Sequence, residues 1–357
     1  MLQKWKYLTL LSLLTALLLT GCGGNANTPQ GPDTPEEHAA EFFAMDTYMA
    51  LRFYGGDPAL SEEAEALVAA LESELSVVKE DSAIYGLNHT GHTTLSDNGA
   101  ELLRRTLALC EETDGALDIS IYPIVRAWGF TVADPEADGG STASRVPSPE
   151  KIAILLDQVD YRKIQQDGND VSLPGGMEID LGAVAKGYAG DKLAALLRAG
   201  GVESALLALG GNIQAVGSKP DGTGWNVGIQ NPEGDGLLGV LSVSDRAVVT
   251  SGGYERYFTD ENGNTWWHIM DPATGYPAKN GLISVTIVGE SGLTCDALST
   301  ALFIMGPEKA VQFWRDHPDF DMALVTDSGT LLMTAGLAKT FAPAEDLAYT
   351  LEVIGND

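Results

Sequence analysis

Six short apolar runs follow one another between residues 204 and 289, and no helical pattern separates them. They are "SALLALGG", "WNVGIQ", "LGVLSVSD", "AVVTSG", "TWWHIMD" and "LISVTIVG". Runs of this length, bounded by turn residues, read as strands. Strands that follow strands pair antiparallel, whereas a doubly wound parallel sheet needs a helix between each pair. The helices keep to their own block. "PALSEEAEALVAALESELSVV" carries acids in its first turn and apolar residues at 67, 68, 71 and 75. "NGAELLRRTLALCEETDG" ends at Gly115, "SPEKIAILLDQVD" follows a polar loop at 131–149, and "AVAKGYAGDKLAALLRAGG" closes on a glycine pair. "EFFAMDTYMALRFYG" reads as one early strand, and "DMALVTDSGTLLMTAGLAKTF" as a final strand pair. A last helix begins near Thr294. The pattern points to an α+β fold of antiparallel sheets with packed helices.

The N-terminus sets where such a domain works. Lys4 and Lys6 precede an apolar run from Tyr7 to Leu19, too short to span a membrane but suited to a signal peptide. Leu19-Thr20-Gly21-Cys22 then reads as a lipobox, so residues 1–21 are a lipoprotein signal peptide and Cys22 is the lipidation site. Residues 22–40 are rich in Gly, Pro, Asn and acid, and read as a flexible tether to a domain at 41–357. The expected location is extracytoplasmic, lipid-anchored to the membrane. Lys plus Arg number 21 against 50 Asp plus Glu, a net charge of −29 that repels phosphate backbones and argues against nucleic acid. A phosphate-bearing ligand would need backbone N–H groups, a cation or a few basic side chains. Cys110 and Cys295 read as buried free thiols, and the five histidines form no zinc motif.

Several stretches carry more polar chemistry than a core needs. In "GLTCDALSTAL", Asp296 and Thr300 stand four apart and share a helix face, with Ser299 adjacent. Oxygen ligands of this kind suit a hard cation such as Mg²⁺; otherwise Asp296 is a helix cap and Thr300 bonds back to a carbonyl. In "MEIDLGAVAKGYAGD", Asp180 closes a strand and Lys186 sits just inside the next helix, which makes an anion site or a plain capped junction. The glycine pair of "ALGGNIQAVG" admits a ligand to the backbone or forms a bulge. "VVTSGGYERYF" offers hydroxyls beside open backbone, and "WWHIMDPATGYP" places His268 three residues before Asp271.

These stretches, with Met45-Asp46-Thr47, "LSVVKEDSAIYGLN", "TDGALDISIYPIVRAWGF" and "WNVGIQNP", resemble in order the ApbE family of FAD:protein FMN transferases. The resemblance runs from about Phe43 to about Gly306. It implies Mg²⁺-dependent transfer of FMN from FAD to a Ser or Thr hydroxyl of a target protein, with release of AMP. It implies a cation held by Asp296, Thr300 and the backbone carbonyl of Ala183, with Ser299 adjacent. It implies FAD contacts at Met45, at Ala116-Leu117-Asp118, at Asp180 and Lys186, and at Met270, with His268 as the base. Where relatives carry an aromatic beside the Leu-Ser pair, this chain has Val77 and Val78, and Tyr85 is the aromatic that could stand in.

The implied partners are FAD and an acceptor flavoprotein, such as a subunit of a membrane redox complex. Two other readings use the same residues. An FAD pyrophosphatase would pass FMN to water, and a non-catalytic FAD-binding lipoprotein would leave FAD intact.

Overall fold

The structure is a computed structural model that describes residues 35–131 and 146–355. The expected signal peptide, Cys22 and the expected tether up to residue 34 lie outside the described residues, as does most of the 131–149 loop. Among the described residues no helix is long and apolar enough to cross a membrane.

Strands β1 (Glu37–Ala44) and β2 (Thr47–Tyr54) form a hairpin, followed by helices α1 (Leu60–Leu75) and α2 (Ala83–Thr90). Strand β3 (His92–Thr94) and helices α3 (Asp97–Glu112), α4 (Tyr122–Ala127) and α5 (Pro149–Leu156) come next. Strands β4 (Gln165–Asp167) and β5 (Asp170–Ser172) pair with β3 in a small sheet, and α6 (Ala185–Ala199) ends the helical block. A run of strands follows: β6 (Ser204–Leu209), β7 (Asn212–Val216), β8 (Trp225–Gln230), β9 (Leu237–Val243), β10 (Ala247–Gly252), β11 (Tyr257–Thr259), β12 (Thr265–Trp267) and β13 (Leu282–Gly289). Helices α7 (Gly292–Met305) and α8 (Pro307–Asp316), strands β14 (Asp321–Thr326) and β15 (Thr330–Thr334), helix α9 (Ala335–Ala338), and strands β16 (Phe341–Pro343) and β17 (Thr350–Ile354) complete the chain.

Nine of these strands form one sheet in the order β1-β2-β6-β7-β10-β13-β14-β15-β17. Its pairings are antiparallel except β15 with β17. The expected α+β class therefore holds. The local expectations differ in several places. The stretch read as one early strand is a hairpin whose turn is Met45-Asp46, both left-handed at φ 49° and 58°. That turn carries no glycine or asparagine, so no turn signal marked it. Strand β1 begins at Glu37, inside the expected tether, because His38 packs on Phe53 with ring centroids 5.1 Å apart. The helix at Thr294 is not the last: α8 follows α7 across Gly306, opening on Pro307, and the short α9 comes later.

Alternation on β2 places Met49, Leu51 and Phe53 in a core with Ala64, Val68 and Leu71 of α1 and Leu193 and Leu197 of α6. Each such side chain contributes about 1.5–3 kcal/mol when fully buried. A second cluster packs Val285 and Ile287 of β13 against Leu298 and Leu302 of α7. The free thiols Cys110 and Cys295 are both buried, as expected.

The two clusters meet where α6 crosses α7. A Cβ at Gly187 would lie 2.1 Å from the carbonyl oxygen of Gly292, and one at Gly292 would lie 2.5 Å from that of Gly187. Glycine at both positions is what lets the two backbones touch. Asp191 of α6 then caps α7, accepting from the N–H groups of Gly292 (2.5 Å) and Leu293 (3.2 Å) and from the Ser291 hydroxyl (2.9 Å). Gly187→Ala is expected to force the helices apart and cost about 1–3 kcal/mol, the range for overpacking, read as a lower urea midpoint at unchanged slope.

Candidate functional site

Two tight turns set one end of the large sheet. Gly210 and Gly211 join β6 to β7 at φ 61° and 102°, so the glycine pair is a two-residue hairpin turn and not a bulge. Its neighbour is the Met45-Asp46 turn, because β2 pairs with β6 and Met49 faces Leu209. A Cβ on Gly210 would strike Thr47 Oγ1 at 2.1 Å, so the turns are in contact. β10 runs to the same end and delivers Thr250 and Ser251.

A cavity of about 320 Å³ opens there, between that sheet end, the N-terminus of α6 and one face of α7. Met45, Ala116, Leu117, Asp118, Asp180, Ala183, Lys186, His268, Met270, Asp296 and Thr300 all line it. Sequence positions 45 to 300 are thus brought to one wall. Ser299 is not among the lining residues: it is fully buried, and its hydroxyl bonds the Asp296 carbonyl (2.8 Å) and Ser251 Oγ (2.8 Å). At three residues past Asp296 it has rotated toward the sheet, while Thr300 at four stays on the cavity face. Tyr85 is not at the cavity either. It stacks on His89 at 3.9 Å, and the aromatic at the cavity is Phe130.

Asp296 is not the cap of α7, since Ser291 fills that role. The Asp296 carboxylate is 5% exposed, and its Oδ2 accepts from the Gly187 N–H at 2.8 Å. Gly187 lies in the first turn of α6, where a backbone N–H has no partner within the helix. The bond to Asp296 satisfies that donor, and Ala183, just before the helix, lines the cavity. Burial pushes the Asp296 carboxyl up from its usual range, opposed by the Lys186 ammonium, the Gly187 N–H and the Asn212 amide. Such a carboxylate favours a cation beside it. Thr300 makes no side-chain hydrogen bond among the described residues. The donor set is all oxygen and holds no group of three or more His, Cys, Asp or Glu. That fits a hard cation completed by ligand oxygens and does not fit an all-protein cage.

Asp180 is half-buried and its Oδ1 accepts from Gly182 N–H at 2.8 Å, which shapes the turn before α6 without capping the helix. Burial raises its carboxyl. Asp118 is committed inward: its oxygens accept from Ser120 N–H, Ser120 Oγ and Tyr161 N–H. Its segment therefore meets the cavity while its carboxylate holds the loop. Lys186 Nζ has a single long contact, 3.4 Å to the Gly210 carbonyl.

His268 is half-buried. Its N–H donates to the Arg256 carbonyl (3.1 Å), and its ring Nδ1 lies 3.3 Å from the same oxygen. A carbonyl only accepts, so Nδ1 carries the proton and Nε2 keeps a lone pair. Burial, then the Arg256 charge, draws the imidazole down to about 4. Arg256, Asn212 and Phe130 line the cavity beside it and were not anticipated; only the Gly-Gly-Asn and Tyr-Glu-Arg strings could have flagged the first two. The His268 imidazole is expected to stay neutral as pH falls through 6.5 and to protonate near pH 4. Native stability should fall over that window, because the unfolded histidine takes its proton first. Imidazole NMR titration of the free protein checks this, and Arg256→Gln should raise the midpoint.

The ApbE family model matches residues 45–324. An FAD:protein FMN transferase of Treponema pallidum is 33% identical over 342 residues, covering 88% of this chain and 90% of that one. One from Klebsiella pneumoniae is 32% identical over 308 residues, covering 84% and 93%. The crystal structure of the ApbE protein of Thermotoga maritima superposes with a TM-score of 0.79 at 29% identity, covering 86% of this chain and all of that one. The Pseudomonas stutzeri flavinyl transferase ApbE gives 0.77 at 27% identity, covering 88% and 100%. By this match and this fold, the chain belongs to the ApbE family.

Proposed function

We propose that the protein transfers the FMN half of FAD to a Ser or Thr hydroxyl of a target protein. One observation carries the reading: a buried carboxylate, a free hydroxyl, an ammonium and a neutral imidazole line a single cavity. The residues fit Mg²⁺, with Asp296, Thr300 and the Ala183 carbonyl as its protein ligands. Bound Mg²⁺ supplies neutralisation of charge on the diphosphate.

The chain's own groups do the remainder. Lys186 presents an ammonium to the diphosphate in an otherwise acidic protein. Met45, Leu117 and Met270 give apolar walls for the flavin half, and Phe130 the aromatic one. His268 Nε2 takes the proton of the incoming hydroxyl. The hydroxyl oxygen bonds the FMN phosphorus, the bond from that phosphorus to the bridging oxygen breaks, and AMP leaves with that oxygen. With water as acceptor the same residues would make an FAD pyrophosphatase. The transferase names of the relatives favour a protein acceptor.

The signal-like N-terminus supports lipidation at Cys22, an extracytoplasmic site of action and an acceptor such as a subunit of a membrane redox complex. Labelled palmitate should enter the wild-type protein in cells and not Cys22→Ala.

Mass spectrometry of an acceptor after incubation with this protein, FAD and Mg²⁺ tests the activity. An FMN adduct and stoichiometric AMP are expected, and AMP formed equally fast without acceptor would make it a hydrolase. Asp296→Ala should lose roughly a hundredfold or more of the rate. Thr300→Val should raise the Mg²⁺ requirement, and Ser299→Ala, lying behind the wall, should change it less. Full transfer by Asp296→Ala would overturn the reading.

A further inference from the structure

The two-stranded ribbon of β11 and β12 runs to the cavity, and the last pair across it is Arg256 with His268. The register sets Phe258 opposite Trp266 and Tyr257 opposite Trp267, and the His268 N–H extends it by donating to the Arg256 carbonyl at 3.1 Å. Residues directly opposite on an antiparallel pair send their side chains to the same face, with Cβ atoms about 4.5–5.5 Å apart. Guanidinium and imidazole therefore stand side by side, and both line the cavity. The cavity has two other cations among its lining residues, Lys79 and Lys186. Lys79 is paired with Glu72 at 2.9 Å, and Lys186 has its long contact to the Gly210 carbonyl. The Arg256 side chain is exposed, and its guanidinium makes no hydrogen bond or ion pair among the described residues. Asp180 and Glu255 feel its charge without bonding it. In a chain with 50 Asp plus Glu against 21 Lys plus Arg, a guanidinium left open at a cavity is set to receive a ligand anion.

We infer that Arg256 holds the FMN phosphate of FAD, its guanidinium donating to the non-bridging oxygens of the phosphorus that the acceptor hydroxyl attacks. The inference rests on the function proposed above and adds to it which of the two phosphates this residue serves. The imidazole must reach the hydroxyl as that oxygen meets the phosphorus. The group beside the imidazole therefore lies at the same phosphate and not at the phosphate of AMP. The bond from hydroxyl oxygen to phosphorus forms and the bond to the bridging oxygen breaks. The oxygens on Arg256 take part in neither, so a planar fork can hold them throughout and keep the phosphorus in line with the hydroxyl.

Binding separates the two phosphates. FAD, FMN and riboflavin are titrated by quenching of flavin fluorescence with Mg²⁺ present and no acceptor, and AMP by calorimetry. The wild type is compared with Arg256→Gln and Arg256→Lys, with folding checked by circular dichroism and Tm. In Arg256→Gln the Kd for FAD and for FMN should rise roughly tenfold to a hundredfold, the range for a hydrogen bond to a charged acceptor. The values for riboflavin, which lacks phosphate, and for AMP should move less than about twofold. Arg256→Lys keeps the charge without the fork and should fall between wild type and Arg256→Gln. Unchanged affinity for FAD and FMN in Arg256→Gln overturns the inference. So does a loss for AMP or for riboflavin equal to that for FMN. A wild type that fails to bind FAD would remove the transferase reading itself; a wild type that binds FAD no more tightly than Arg256→Gln removes only the role of Arg256.

Discussion

The carboxylate of Asp296 bonded to the Gly187 N–H is the contact from which the rest of the site is measured. It can form only because α6 and α7 meet through glycines, with backbone against backbone. The N-terminal end of α6 is the favourable place for that buried charge, since its exposed amides carry partial positive charge. One bond thereby fixes three things. It orients Asp296, it satisfies a first-turn donor of α6, and it sets the carboxylate against the turn that carries Lys186.

The floor of the cavity is made by a different device. Two adjacent hairpins turn in two residues each, and one uses Gly-Gly where the other uses Met-Asp. A left-handed methionine costs roughly 1–2 kcal/mol. The surrounding sheet supports that strain, and the result is a long apolar side chain, Met45, aimed from a rigid turn. Strain at a cavity wall, held by regular pairing on both flanks, is the common arrangement for a residue that touches ligand.

Much of the fold was legible because strand and helix periods differ and the two kinds of element stay in separate blocks. Met45-Asp46 escaped notice because neither residue announces a turn, and β7 because five residues after a glycine pair resemble the tail of a loop. The candidate site was legible as motifs and not as a place. Asp296 and Thr300 could be paired from helical spacing alone, but Asp180, His268 and Met45 have no period that links them, so only family resemblance grouped them. Ser299 and Thr300, at i+3 and i+4 from Asp296, both look like neighbours in a string, and only the packing of α7 on β10 shows that Ser299 faces the sheet. Asn212 carried no signal beyond the glycines before it, since burial in a cavity wall is a property of the packed state.

The cavity takes its walls from the first hairpin, the turn before α6, the end of β10 and the middle of α7. No contiguous stretch of the polypeptide contains it. Chain closures of well over a hundred residues must be complete before Met45 and Asp296 can face one another, and such closures are slow to form. Ligand occupancy therefore reports on the whole molecule, and a fragment ending before α7 would have no pocket to fill.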